Sequence, residues 1–164
     1  MVADATTDPA LPMNQIALLL PAANILFDLD AGSKAQLFSA VGRLFEANCG
    51  LRSDLVVESL MAREKLGSTG LGQGIAIPHG RIRGLREAQG AFARLRAPIA
   101  FDAPDGKPVA QVFVLLVPEH ATEQHLQLLS ELAQMFSEKS FRETLAAATE
   151  APALHALFRQ WEAA

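Results

Sequence analysis

A chain of 164 residues, half of them hydrophobic and with a net charge of −4, has the length of one domain and enough apolar side chains for a substantial core. This composition argues against disorder and against the strongly basic surface of most nucleic-acid-binding proteins. The single cysteine, Cys49, excludes an internal disulfide. Because the sequence shows neither a secretion signal nor an apolar run of roughly 20 residues that spans a bilayer, we expect a cytoplasmic protein.

The N-terminal segment differs in composition from the rest. Residues 1–12 are small, polar and interrupted by prolines, which predicts a flexible tail. No internal repeat or linker follows, so we expect one domain over residues 13–164. Its first clear element is the segment NILFDLD, which predicts an early strand.

Two helices are predicted after this strand. Ser33 and Gln36 have the spacing of a capping box, and the apolar positions that follow recur at helical spacing up to Gly50. Ser53 is the expected N-cap of the second helix, and Gly67 lies just beyond its end. The two helices are therefore expected to be consecutive and connected by a short loop.

The middle of the chain predicts strands and the last third predicts helices. GIAIP and GAFARLR are short strand candidates, and the continuous apolar run of AQVFVLLVP suits a strand covered on both faces. A helix with an apolar stripe starts near Thr122, Ser140 and Glu143 have capping-box spacing, and PALHALFRQW predicts a last helix that opens with proline. The predicted fold is a single α/β domain, a small mixed β-sheet flanked by helices on both faces.

The segment REKLGSTGLGQGIAIPHGR connects a glycine-rich loop to a histidine, His79. The order helix, loop, strand is the reverse of a dinucleotide fingerprint, and the lysine of a P-loop is missing, so neither phosphate-anchor motif is present. We interpret the glycines as a loop that folds closely beside His79, with Pro78 fixing its own φ and Gly80 removing bulk after the ring. Taken alone, the PHG tripeptide is more typical of a surface turn.

Two more side chains suit a phosphoryl group. His125 falls on the inward stripe at the start of its helix, where free amide groups favour an anion, although a buried core histidine fits equally well. Arg63 lies near the core-facing side of the second helix, and its planar guanidinium matches phosphate oxygens. Compensation of the helix dipole is the alternative role of Arg63.

The motif STGLGQGIAIPHG, followed further along by HLQLLSELAQMF, resembles the IIA component of the bacterial sugar phosphotransferase system, in its fructose, mannitol and nitrogen-regulatory branch. The resemblance implies that His79 accepts a phosphoryl group on a ring nitrogen, that His125 is the second active-site histidine and that Arg63 is the active-site arginine. It also implies a phosphate-binding loop formed by Ser68, Thr69, Gly74, Pro78 and Gly80.

Two positions favour the nitrogen-regulatory subtype. Sugar-transporting members often carry a glutamate where this chain has Gln73, and Arg81 follows the PHG tripeptide here. We also expect no fused transporter or second phosphotransfer domain. The resemblance then implies a phosphocarrier rather than a free-standing metabolic enzyme. It would take phosphate from an HPr-like carrier and regulate target proteins by its phosphorylation state, without a cofactor, nucleic acid or membrane insertion. The alternative is the IIA component of a fructose or mannitol transporter.

Phosphoryl transfer adds a geometric prediction for His79. The ring must attack as a neutral imidazole, so we expect one ring nitrogen to donate to a backbone carbonyl and the other to stay unprotonated. Two rival functions remain open. A metal-dependent hydrolase would use His79, His120 and His125, although no acidic residue stands at the spacing of a zinc motif, so we expect no metal. The other rival is an interaction module that never carries phosphate.

Overall fold

The computed structural model describes residues 14–120 and 123–162. The predicted tail over residues 1–12 lies outside the described residues, so the tail and the domain boundary at residue 13 stay predictions. Thr122, the expected start of a helix, also lies outside them. Among the described residues, no helix is long and apolar enough to cross a membrane.

Helices and strands follow one another in an α/β order. In chain order, the elements are α1 (Gln15–Leu19), a short 3-10 helix (Ala22–Asn24), β1 (Ile25–Leu29), α2 (Lys34–Cys49), α3 (Ser53–Leu66), β2 (Gly70–Gly72), β3 (Ile75–Ala76), β4 (His79–Ile82), β5 (Gln89–Ile99), β6 (Val109–Pro118), α4 (Glu123–Ser137), α5 (Lys139–Ala147) and α6 (Ala151–Gln160).

The strands form one six-stranded mixed sheet in the order β1-β5-β6-β3-β2, with β4 also paired to β6. β5 and β6 are antiparallel, whereas β1 runs parallel to β5, and β3 and β4 run parallel to β6. β3 and β4 therefore lie one after the other along the same edge of β6, separated by Ile77 and Pro78. This arrangement puts His79 opposite Leu115, in the central part of β6.

Strand β6 is buried on both faces, as its apolar run predicts. Phe113, Leu115 and Val117 face the cluster formed with α1, α4, α5 and α6, while Val112, Val114 and Leu116 face the cluster formed with α2 and α3. Complete burial of each such side chain contributes about 1.5–3 kcal/mol. The predicted fold, a small mixed sheet with helices on both faces, is confirmed.

The start of α2 confirms one half of its predicted capping box. The Ser33 hydroxyl oxygen accepts a hydrogen bond from the Gln36 backbone N–H at 3.2 Å. The Gln36 side chain accepts from the N–H of Gly32 at 2.6 Å, whereas a reciprocal capping box would use Ser33. Gly50 ends the helix with a φ of 71°, in the left-handed region that favours glycine.

The predicted N-cap of α3 is wrong by one residue. Arg52 occupies the cap position without a side-chain hydrogen bond, and Ser53 is already helical. The Ser53 hydroxyl lies against α2, where a Cβ added at Gly42 would meet it at 2.8 Å. The Ser53 hydroxyl therefore packs between the two helices and does not cap α3. In the first turn of α3, the Asp54 carboxylate accepts a hydrogen bond from the Leu55 N–H.

The predicted capping box at Ser140 is also wrong. Helix α5 begins at Lys139 with Glu138 at its N-cap, so Ser140 lies inside the first turn. Its carbonyl accepts from the Thr144 hydroxyl at 2.6 Å, and Glu143 lies 3.9 Å from Lys139. The predicted proline start of α6 is confirmed, since the first turn of that helix contains a proline.

Candidate functional site

His79 stands at the first position of β4, and its ring is half-buried. The ring Nδ1 lies 2.9 Å from the carbonyl oxygen of Ile77. Because a carbonyl only accepts, we assign the proton of the neutral ring to Nδ1, which leaves Nε2 with its lone pair. The predicted contact between a ring nitrogen and a backbone carbonyl is confirmed.

The backbone on either side of His79 is fixed by its neighbours. The Pro78 carbonyl accepts from the Leu115 N–H at 3.0 Å, which fastens the residue before the ring to β6. After the ring, a Cβ added at Gly80 would fall 2.2 Å from the Ser59 hydroxyl oxygen. Glycine is therefore required here for the close approach of α3, a spatial reason that agrees with the predicted loss of bulk.

The glycine-rich segment forms a tight hairpin between β2 and β3. Gln73 and Gly74 have φ values of 58° and 80°, the positive angles of a type I′ turn. The Gln73 N–H donates to Asp105, and the Gly74 carbonyl accepts from the N–H groups of Ala110 and Gln111. These bonds hold the hairpin against β6 and the segment that precedes it.

The hydroxyl groups of Ser68 and Thr69 bond to other parts of the protein. Ser68 donates to the carbonyl oxygen of Phe101. Thr69 is buried, its hydroxyl donates to a carboxylate oxygen of Glu64 at 2.7 Å, and its N–H donates to the other oxygen at 3.2 Å. In this structure both hydroxyls stabilise the loop, and the phosphate contacts of the loop residues stay predictions.

His125 lies beside His79 although the two are far apart in sequence. The ring centroids are 5.6 Å apart, and the ring planes meet at 65°. His125 is only 9% exposed, and its Nε2 atom is buried without a hydrogen-bond partner among the described residues. The structure thus places this histidine on the inward side of α4, as its spacing predicts, with a ring nitrogen that lacks a hydrogen-bond partner among the described residues.

Arg63 lies in the last turn of α3, and its side chain bonds to the residue that caps this helix. Its guanidinium donates to the Gly67 carbonyl at 2.8 Å, which supports the alternative role at the end of the helix. Its positive charge also acts on His79, since it is one of the causes that lower the pKa of that ring. This position is therefore compatible with both roles predicted for Arg63, which are contact with a phosphoryl group and compensation of the helix dipole.

Both site histidines favour the neutral form. Burial is the main cause that lowers the pKa of His79, and Arg63 adds to it, while the hydrogen bond to Ile77 and the charge of Glu64 act in the opposite direction. The pKa of His125 is lowered by burial, then by His79 and Arg81. Neutral rings beside two arginines give a site whose charge suits an anion.

Glu64 is a residue of this region that does not stand out in the sequence. It is 9% exposed, and its carboxylate lies 2.8 Å from the Lys34 ammonium group. A signal for it exists in the sequence, because Val56, Leu60 and Glu64 follow one another at four-residue spacing on the buried side of α3. An acidic residue in an otherwise apolar stripe indicates a buried partner.

The remaining histidines lie elsewhere. The side chain of His120 is 93% exposed, and its ring contacts only the neighbouring Glu119 among the ion pairs of the described residues. His155 lies 3.1 Å from the carbonyl oxygen of Leu20. Within residues 14–120 and 123–162, no group of three or more histidine, cysteine or acidic side chains could hold a metal ion, so the hydrolase alternative gains no support.

Comparisons with known proteins identify the family of this chain. The family described as phosphoenolpyruvate-dependent sugar phosphotransferase system, EIIA 2, matches residues 18–161. The nitrogen regulatory protein of Pseudomonas aeruginosa is 42% identical over 144 residues, which cover 87% of this chain and 94% of that protein.

Solved structures show the same architecture. The crystal structure of nitrogen regulatory protein IIA-Ntr from Neisseria meningitidis has a TM-score of 0.84 at 52% identity, covering 88% of this chain and 99% of that one. IIA mannitol from Escherichia coli shares the fold, with a TM-score of 0.71 at 22% identity over 84% of this chain and 97% of that one. This chain therefore belongs to the EIIA type 2 family of the phosphoenolpyruvate-dependent sugar phosphotransferase system.

Proposed function

We propose that this protein is a nitrogen-regulatory IIA phosphocarrier, which accepts a phosphoryl group from an HPr-like carrier on His79 and regulates partner proteins by its phosphorylation state. The family match and the nitrogen regulatory relatives support a phosphocarrier or regulatory role in the phosphotransferase system. The observation that carries the proposal is the bond from His79 Nδ1 to the Ile77 carbonyl, because it leaves Nε2 as the nucleophile.

The transfer step needs little covalent chemistry from the protein. The lone pair of His79 Nε2 attacks phosphorus in line with the donor atom, the bond from phosphorus to the donor breaks, and a new phosphorus–nitrogen bond forms. Nδ1 keeps its proton throughout, so the ring of the product carries a positive charge next to the phosphoryl group. No base is required, because the attacking nitrogen is already unprotonated.

His125 and Arg63 then stabilise the transferred group. The buried Nε2 of His125 has no other hydrogen-bond partner among the described residues, so an N–H at this position would donate to a phosphoryl oxygen. Arg63 keeps one donor on Gly67, which orients the guanidinium, and its other N–H groups can reach an anion. Losing one such donor in a transition state costs on the order of 3 kcal/mol.

Regulation follows from the charge that phosphorylation adds. A phosphoryl group brings nearly two negative charges, which the positive charge on the ring only partly offsets. Partners that dock on the unmodified surface would meet a changed field after transfer, and the reverse holds for partners that need the phosphate. The phosphorylation state of the carrier would thereby be reported to other proteins.

The phosphocarrier role is tested with purified protein and a phosphorylated HPr-like carrier that bears radioactive phosphate. We expect an acid-labile, alkali-stable label on the wild type and none on His79→Ala. His120→Ala is the matched control, because it removes an exposed imidazole that lies outside the site. A label on His79→Ala at the wild-type level would reject the proposal.

A second experiment separates regulation from sugar transport. Gln73, the position that favours the regulatory subtype, lies exposed in the hairpin turn. We expect the phosphorylated protein to transfer its label poorly to the IIB domain of a fructose or mannitol transporter. Partners recovered from a lysate should bind His79→Ala and His79→Asp with different affinities. Rapid transfer to a IIB domain, together with equal partner binding, would favour the transporter alternative.

A further inference from the structure

Glu64 lies beneath the candidate site and is bound from two sides. Lys34, at the start of α2, lies 2.8 Å from one carboxylate oxygen. Thr69 donates to both oxygens of the same carboxylate, through its hydroxyl at 2.7 Å and its N–H at 3.2 Å. The side chain of Glu64 is only 5% exposed, and that of Lys34 is 20% exposed.

The bonds continue from Glu64 to the ring of His79. The Thr69 carbonyl accepts from the Ile77 N–H at 3.0 Å, and the Ile77 carbonyl accepts from His79 Nδ1 at 2.9 Å. The peptide groups of Thr69 and Ile77 thus connect the carboxylate to the imidazole. Any displacement of Thr69 would move the carbonyl that selects the tautomer of His79.

Stability alone is a weak reason for a chain to keep this ion pair. Desolvation of two charges offsets most of their attraction, and an apolar pair of similar volume is often as stable. Lys34 has a second acidic neighbour, Asp102, at 3.6 Å, and its ammonium lies 4.6 Å from the centroid of the Phe101 ring. The ion pair fixes the loop in one position. Apolar packing would fix the loop less specifically.

We propose that Glu64, held by Lys34, is a positioning residue for His79: it fixes the Thr69–Ile77 connection that keeps the proton on Nδ1, and its buried charge compensates the positive charge that the ring gains on phosphorylation. This inference rests on the proposed function of His79. Glu64 bonds to Thr69 and Lys34 and not to the ring of His79, so it acts through its neighbours and through its electrostatic field.

The charges around His79 act on its ring in opposite directions. The charged groups that act on His79 are Arg63 and Glu64 from α3, and the His125 ring faces it from α4. Arg63 lowers the pKa of His79 and Glu64 raises it. A negative charge that favours the protonated ring also favours the phosphorylated ring, because both carry a positive charge.

The test uses Glu64→Gln, which keeps the volume and one carbonyl oxygen for the Thr69 hydroxyl but removes the charge. We expect single-turnover phosphorylation from the HPr-like carrier to slow about tenfold or more, equivalent to ~1.4 kcal/mol in activation free energy. In the unphosphorylated protein, the pKa of His79 measured by NMR should fall. The fraction of the ring with its proton on Nε2 should rise.

Three controls make the result decisive. Lys34→Met/Glu64→Gln removes both charges and therefore leaves no unpaired ammonium group. It should show the same slowing of phosphorylation. If Glu64→Gln alone fails to fold, this double variant still reports the effect. Glu143→Gln makes the same change in an exposed pair on α5 and should leave the rate unchanged. Phe141→Leu shortens a buried ring on α5 and reports general destabilisation.

Wild-type rate and an unchanged pKa of His79 in Glu64→Gln would overturn the proposal. So would a slowing no larger than that of Phe141→Leu with an unchanged pKa, because that is the result of a merely structural role. Failure of the proposed function is distinguishable from failure of this inference. The first would appear as label on His79→Ala. The NMR titration and the tautomer of His79 would still report the effect of Glu64, because they need no phosphate.

Discussion

The ring of His125 meets the ring of His79 at a centroid distance of 5.6 Å, and the Nε2 atom of His125 is buried without a hydrogen-bond partner among the described residues. A buried polar atom without a partner costs about 1–3 kcal/mol. No side chain or backbone group among the described residues offsets such a cost for His125. A phosphoryl group bound to His79 beside the His125 ring would supply the missing bond.

This cost predicts that His125→Leu is functionally damaging and structurally neutral or stabilising. Leucine continues the apolar stripe of α4 formed by Leu128 and Leu132 and carries no unsatisfied atom. We expect a melting temperature equal to or above that of the wild type, with phosphoryl transfer slowed by about 10²–10³-fold. Calorimetry measures the melting temperature, and single-turnover phosphorylation measures the rate of phosphoryl transfer. A variant that melts well below the wild type would contradict the assignment of an unsatisfied atom.

The lowered pKa values of His79 and His125 predict a pH dependence of stability. Both values lie below the usual 6.5, so the unfolded chain binds more protons than the folded protein between the folded-state pKa and 6.5. The stabilisation is complete above 6.5 and is lost as the pH falls below that value. Asp54 and Asp105, whose pKa values lie below 3.8, change stability only in more acidic solution.

Urea unfolding measures this effect at about pH 7.5 and about pH 5.5. We expect the wild type to be less stable at the lower pH, and His79→Ala/His125→Leu to lose much of this dependence. The same drop in free energy of unfolding for both proteins would show that other groups cause it.

The sequence allows a good prediction of the sheet and a poorer one of the helix starts. The apolar run of β6 predicts burial on both faces because the pattern itself contains the information. Ser53 and Ser140 both have the residue type of an N-cap, yet each lies inside a helix, and Ser53 instead packs its hydroxyl against Gly42 of α2. Tertiary packing decides such positions, and local propensity does not contain it.

The residue types of the candidate site are visible in the sequence, whereas the contacts that hold them in place are not. His79, His125 and Arg63 stand out by chemistry and by resemblance to the family motif. Glu64 does not stand out in the sequence, because an acidic residue near a helix end normally indicates a solvated charge. Its burial depends on Lys34 from another helix and on Thr69 from the following loop, and these contacts exist only after the chain has folded.

The close approach of α3 to β4 predicts a coupling between Ser59 and Gly80. In Gly80→Ala, the new Cβ would fall 2.2 Å from the Ser59 hydroxyl oxygen, which would have to give up its bond to the Arg81 carbonyl. We expect a loss of about 1–3 kcal/mol in the free energy of unfolding. Ser59→Ala/Gly80→Ala should be less destabilised than the sum of the two single variants, because the hydroxyl is absent. Strict additivity in urea unfolding would show that the two residues do not collide.

Exposed leucines beside the site segments predict where the phosphorylated carrier docks. Leu71, in β2, is 46% exposed, and Leu126, the neighbour of His125, is 66% exposed. Truncation of an apolar anchor at an interface typically costs more than about 1 kcal/mol of binding, so Leu71→Ser or Leu126→Ser should raise KM for the carrier several-fold to about tenfold.

The transfer rate at saturating carrier should stay near that of the wild type, because neither side chain belongs to the proposed phosphoryl site. Leu18→Ser is the matched control: this leucine is 70% exposed but lies on α1, and its replacement should leave KM unchanged. Steady-state kinetics with varied concentrations of the phosphorylated carrier measure all three variants. Equal KM values for Leu71→Ser, Leu126→Ser and Leu18→Ser would place the docking surface elsewhere.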